Sequence, residues 1–262
     1  MCLIAIAWKA HPRYRLALIA NRDEAHARPA SPAGVDPGDA RLYGGRDLQA
    51  GGSWLMASTR GRLAAVTNVR AGAAEGTMPR SRGALVRDFV AGRDDAVGFL
   101  AALAPHAAEY GRFNTLAWDG ERLGFASNHP GFAMHEVQPG LHAMSNGAFD
   151  APWPKSGHAV AALQRWLDTA PAHDGDAGDD ALAPLFEALA DTTPAPDASL
   201  PDTGVGLELE RRLSPPFVAG TIYGTRCSSV VLVDDAAITF VEQSFGPEGM
   251  RLGRTRARLA IG

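Results

Sequence analysis

Lysine is almost missing from this chain: among 262 residues it occurs only as Lys9 and Lys155. Arginine carries the remaining positive charge, and with so much alanine and glycine this reads as the mark of a GC-rich genome rather than of a function. Basic residues number 25 against 29 acidic ones, a formal net charge of -4. No global field therefore draws in nucleic acid or an anionic membrane. Cysteine occurs twice, as Cys2 and Cys227, too few for a disulfide scaffold. No stretch approaches the roughly 20 apolar residues of a membrane span. The apolar run Cys2–Trp8 is short and has no basic leader, so no signal peptide is expected. A reducing cytoplasm is the expected compartment. His26, His129, His135, His142 and His158 show no H-x-x-x-H or H-E-x-x-H spacing, so no metal site is expected. A G-x-S-x-G elbow, a P-loop and a G-x-G-x-x-G after a strand are also missing.

What is present is a globular composition, 46% hydrophobic and 21% charged, sufficient for a substantial core. The continuous apolar runs Cys2–Trp8 and Leu16–Ala20 flank the turn His11-Pro12-Arg13 and predict a hairpin covered on both faces. Asn21 to Gly52 is polar and rich in Pro and Gly, which predicts loop. Strands are predicted over Trp54–Ser58 and Leu63–Asn68. After a Gly-rich loop come helices over Ser81–Val90, capped by Ser81, and Asp94–Leu103. Phe113–Trp118 and Arg122–Ala126 form a hairpin around Asp119-Gly120, and Leu141–Met144 is a short strand. His158–Leu167 and Ala181–Leu189 read as helices separated by the acidic segment His173–Asp180. Asp191–Val205 reads as surface loop, and Ser228–Val233 with Ile238–Gln243 as a closing hairpin. Strand pairs alternating with helix pairs favour antiparallel sheets flanked by helices over βαβ units. With no repeat or low-complexity linker, one domain over 1–262 is expected.

The chemistry begins at Met1-Cys2. Methionine before a small residue is normally removed, which would leave a thiol and an α-amine of pKa about 8 on one residue. The thiolate attacks acyl carbon and the amine shuttles the proton. Burial at a strand start is the alternative use of a cysteine. Asn21-Arg22-Asp23-Glu24 follows the second strand, and a hairpin returns that strand end beside residue 2. A carboxylate there would orient the amine and a guanidinium would lower the thiol pKa, so that an activated Cys2 persists as thiolate well below about 8.5.

Met-Cys opening a strand, followed by Asn21-Arg22-Asp23-Glu24 and Arg28-Pro29, resembles the NRDE family, the transport-and-Golgi-organisation-two homologues. Further matches are Gly51-Gly52-Ser53-Trp54, Thr67-Asn68, Phe113-Asn114, Ser145-Asn146, Pro152-Trp153-Pro154-Lys155, Tyr223-Gly224-Thr225-Arg226 and Glu242. That resemblance implies an α+β fold, a four-layer αββα sandwich like that of the N-terminal-nucleophile hydrolases. By resemblance, Cys2 would be the nucleophile and Asp23 the residue orienting its amine. Asn146, with Asn68, would donate to the oxyanion, and Arg226 would be a second cation near the thiol. Whether Asn21 or Arg22 plays the nearer part stays open. Trp54, Asn114 and Trp153 are candidates for the substrate pocket; Trp54 and Asn114 are equally suited to packing or to satisfying loop backbone, and for Trp153 packing under a loop is the commoner use.

Two functional readings follow. One is a cysteine hydrolase of an amide or other acyl bond in a small or lipid-like substrate, needing no cofactor. The other is a non-catalytic pocket that binds and passes on haem or an acyl lipid, with Cys2 or a histidine on the iron in the haem case. A purely structural role ranks last, and the oligomeric state is not encoded legibly.

Overall fold

The computed structural model describes residues 2–72, 76–170 and 177–262. Two antiparallel sheets lie face to face. The six-stranded sheet has the order β10-β1-β2-β11-β12-β13, built from β10 (Gly140–Met144), β1 (Cys2–Trp8), β2 (Leu16–Ala25), β11 (Tyr223–Val233), β12 (Ala237–Phe245) and β13 (Arg251–Ala260). The seven-stranded sheet runs in chain order: β3 (Ala30–Asp36), β4 (Asp39–Asp47), β5 (Leu55–Ser58), β6 (Arg62–Asn68), β7 (Phe113–Trp118), β8 (Leu123–Ser127) and β9 (Ala133–Glu136).

Strand alternation sorts the apolar residues into three layers of core. On β1, Ile4, Ile6 and Trp8 enter the inter-sheet core with Leu116 and Trp118. The intervening Leu3, Ala5 and Ala7 pack instead against α3 (Pro154–Thr169) and α4 (Asp179–Leu189) through Leu163, Trp166 and Leu185. The outer face of the second sheet is covered by α1 (Arg82–Ala91) and α2 (Ala96–Ala102), whose Leu85, Phe89 and Leu100 join Met56 and Phe113. This is the αββα sandwich, and β1 reads as one unbroken apolar run because both its faces are buried. Ser81 caps α1 as expected, its hydroxyl accepting from the Gly83 N–H.

The segment expected as loop between Asn21 and Gly52 instead holds the end of β2 and all of β3 and β4. β3 is an edge strand, where Pro32 costs no ladder hydrogen bond. In β4 the pair Gly44-Gly45 hides the strand pattern for a packing reason. A Cβ on Gly44 would lie 2.5 Å from the Leu55 carbonyl oxygen, and one on Gly45 2.0 Å from the Trp54 ring. The sequence also hid β9, β13 and the short helix α5 (Leu207–Arg212). Residues 73–75 of the Gly-rich loop before Ser81 and the first half of the separator His173–Asp180, 173–176, lie outside the described residues, as does Met1.

Candidate active site

β2 lies between β1 and β11, and the register sets one row across three strands: Cys2 opposite Arg22, and Arg22 opposite Cys227. These three face the inter-sheet layer. Their neighbours Asn21 and Asp23 face the helices, so the four-residue motif lies within β2 and is divided between the two faces of the sheet.

Cys2 is half-buried, and burial pushes its thiol up; the Asp23 charge adds to this while Arg22 opposes it. This direction belongs to the chain that still carries Met1, where desolvation is the largest influence on the thiol; the lowering expected for Cys2 once it is N-terminal concerns the processed chain. Arg22 is buried, its guanidinium 4.2 Å from the Trp54 ring centroid and its Nη2 3.7 Å from Glu24 Oε2. Its Nη1 has no hydrogen-bond partner.

Asp23 is 2% exposed; its Oδ1 accepts from Thr225 Oγ1 at 2.7 Å, and its main-chain carbonyl accepts from the Tyr223 hydroxyl. Burial raises its carboxyl, and the charge on Lys155 pulls the other way. Lys155, in the first turn of α3, is itself only 3% exposed and donates to the Leu213 carbonyl at 3.3 Å. Burial lowers its ammonium to about 8; Asp23 and Cys2 hold it up, and Arg70 pushes it further down. From the sequence, Lys155 is legible as part of the Pro152–Lys155 motif and, with Trp153, as a candidate ligand-facing corner, but not as a partner of Asp23. A signal was available: one of two lysines in an arginine-rich chain stands at a helix N-terminus, where the helix dipole disfavours a cation.

Asn21 has no amide proton to spare. Its Nδ2 donates to the carbonyls of Leu189 and Pro216, both at 2.8 Å, and its Oδ1 accepts from Ser228 Oγ at 2.6 Å. It ties β2 to the end of α4. Asn114 likewise donates to the Gly147 and Ser145 carbonyls, holding the loop after β10. Those bonds, not a ligand, account for the amide protons of both residues. Asn146 is fully buried at that loop, one amide proton going to the Asn68 carbonyl at 2.8 Å. The adjacent Ser145 hydroxyl donates to the Cys2 carbonyl at 2.9 Å, so this loop abuts the start of β1. Trp153 precedes α3, its ring 5.2 Å from the Arg70 guanidinium and packed where Gly147 leaves room.

Arg226 sits at the bulge of β11, between Thr225 and Cys227. Its Nη1 donates to the carbonyls of Ala25, His26 and Arg28. The strongest part of this residue's bonding therefore pins the β2–β3 turn, and Arg226 is absent from the walls of the space around Cys2. It borders instead a cavity of about 360 Å³ between the sheets, together with Arg22, Trp54, Cys227 and Glu242. A much smaller space beside it is lined by Cys2, Ile4, Val66 and Ser229, and Arg22 and Trp54 line both. Among the described residues no group of three or more His, Cys, Asp or Glu could hold a metal ion, and no helix is long and apolar enough to cross a membrane.

Residues 1–247 match the family described as Transport and Golgi organisation 2. The chain belongs to that family. The Transport and Golgi organization protein 2 homolog of Bos taurus is 31% identical, over 93% of this chain and 93% of the bovine protein. Its Homo sapiens counterpart is 29% identical, over 98% of this chain and 97% of the human protein. Among solved structures, a C2A mutant of the conjugated bile acid hydrolase of Clostridium perfringens superposes with a TM-score of 0.52 at 7% identity, covering 99% of this chain and 92% of that one. At that identity the likeness shows the fold alone, an N-terminal-nucleophile hydrolase sandwich.

Proposed function

We propose that the protein is a cysteine N-terminal-nucleophile hydrolase of an amide or other acyl bond, acting after removal of Met1. The observation that carries this reading is the pairing of Cys2 with Arg22 at the open end of β1, with the buried Asp23 carboxylate next along β2. In the proposed reaction the free α-amine of Cys2 takes the thiol proton as Sγ attacks the acyl carbon. A thiol held up by burial suits this sequence, since the proton leaves during attack rather than beforehand. Asp23 accepts from the amine and orients it. The second amide proton of Asn146 serves the oxyanion. Collapse breaks the acyl–nitrogen or acyl–oxygen bond, the ammonium returns its proton to the leaving group, and a thioester stays on Sγ. Water then attacks the thioester with the amine as base, releasing the carboxylic acid and restoring the thiol. No cofactor enters these steps.

One observation favours the second reading, non-catalytic carriage of an acyl lipid: Cys2 does not border the larger cavity. Haem fits that cavity poorly, for no histidine lines it and its sulfur, Cys227, is pushed well up by burial and by Glu242. The deciding experiment is intact-protein and peptide mass spectrometry after incubation with p-nitrophenyl decanoate and an N-decanoyl amide. The hydrolase reading expects a transient acyl mass on an N-terminal Cys2 and turnover that vanishes in Cys2→Ala. Retained Met1, or ligand binding without any Cys2 adduct, would establish carriage instead.

A further inference from the structure

The larger cavity carries an inconsistency within its own walls. Three buried donors from residues that line it have no hydrogen-bond partner: Arg22 Nη1, Arg226 Nε and Trp54 Nε1. Buried polar groups are almost always paired, so three orphans around one space need an explanation. Charge points the same way. Arg22 and Arg226 line the cavity against one lining carboxylate, Glu242, while the Arg254 guanidinium at its edge is taken up by Asp179 and the Phe186 ring and Arg22 Nη2 lies 3.7 Å from Glu24. That carboxylate is already engaged, Oε1 accepting from the Ala33 N–H at 2.7 Å and Oε2 from Ser229 Oγ at 3.3 Å. The Arg22 guanidinium is close enough to disfavour the charge on Arg226, with burial as the larger influence. Between these groups Ala30, Pro32, Phe245 and Leu252 supply apolar wall.

We propose that this cavity is an anion-binding subsite, in which Arg22 Nη1, Arg226 Nε and Trp54 Nε1 hold the carboxylate or phosphate head of an amphiphile whose chain lies along the apolar wall. Donors without acceptors call for a ligand that only accepts. Carboxylate and phosphate oxygens do so and match guanidinium geometry. A neutral hydroxyl head brings a donor of its own and gains nothing from the two cations. Because Arg22 and Trp54 also line the space at Cys2, a ligand anchored here has its head one residue layer from the thiol. In that respect the subsite rests on the hydrolase reading and narrows its substrate to acyl compounds with an anionic group. The binding itself does not depend on turnover.

The test is isothermal titration of the Cys2→Ala protein with decanoate, decyl phosphate and decanol. The subsite expects at least one anion to bind about tenfold or more tightly than the alcohol, the scale of one or two charge-assisted hydrogen bonds. Which anion binds better identifies the head group. Trp54→Phe keeps the ring and removes one donor, and Arg226→Gln removes a charge. Each is expected to cut the anion preference by roughly fivefold while leaving decanol unchanged. Arg226→Gln also loses the contacts to Ala25, His26 and Arg28, so Trp54→Phe decides if that variant does not fold. Equal binding of alcohol and anions, no binding of any probe, or an anion preference untouched by Trp54→Phe overturns the proposal. Anion binding here without an acyl-Cys2 adduct in the unmutated protein, incubated with an anionic acyl compound such as N-decanoylglycine, would sink the hydrolase reading alone.

Discussion

Replacing Lys155 by methionine should change how the protein's stability responds to alkali. Lys155 is 3% exposed, and its ammonium is lowered from 10.5 to about 8, chiefly by burial. Between those two pH values the unfolded chain holds the proton and the folded chain does not. Raising the pH through that window therefore favours folding: the cost of the buried charge is fully present below about 8 and gone above 10.5. At 1.36 kcal/mol per pH unit the whole effect is about 3 kcal/mol. Raised thiols and the raised Tyr223 hydroxyl act in the opposite direction at high pH, so the difference between the native chain and Lys155→Met isolates the lysine. Urea unfolding of both proteins at intervals from pH 7 to 10.5 is the assay. The native chain should gain about 3 kcal/mol relative to the variant across that range. Parallel stability curves, within about 0.5 kcal/mol, would mean that Lys155 titrates like a surface lysine and would refute the reasoning.

Asp23→Asn should separate two readouts of Cys2. Acyl turnover is expected to fall by about 100-fold or more because the amine loses its orienting carboxylate. Iodoacetamide labelling should hold or quicken, since Asp23 raises the thiol; equal losses in both would refute the assigned role. Asn21→Ala orphans the Leu189 and Pro216 carbonyls and should cost about 1–3 kcal/mol in urea unfolding without altering Cys2 labelling. Labelling that changed instead would place Asn21 at the substrate. Gly45→Ala drives a Cβ into the Trp54 ring; a loss of about 1–3 kcal/mol and a shifted tryptophan emission are expected, and an unperturbed spectrum would argue against that packing.

Legibility along the sequence followed burial. β1, β6 and β7 are readable because both faces of each are covered, leaving runs that no surface helix would carry. β3 and β13 are edge strands, and β13 presents arginines at 254, 256 and 258 while only small or single apolar residues such as Ala257 and Leu259 face inward. Its pattern is weak because half of an edge strand's environment is water. In the site, Cys2, Arg22 and Asp23 are legible because one hairpin brings them together. Lys155 joins them from a helix most of the chain away, and nothing local records that encounter. The division between Asn21 and Arg22 required strand pairing: a polar quartet read as a turn gives no alternation, whereas the same quartet within β2 assigns each residue a side.

That placement within β2 also constrains how the segment can change. A surface loop absorbs an added or lost residue by bulging, but between Ala20 and Ala25 one extra residue would turn every later side chain over. Arg22 would trade places with Asp23, delivering a carboxylate to the apolar interior and a guanidinium to the Asn21–Lys155 side. The spacing from Asn21 to Glu24 should therefore resist insertion more stubbornly than its individual residues resist substitution, and a deletion scan across β2 would show the two kinds of damage as distinct.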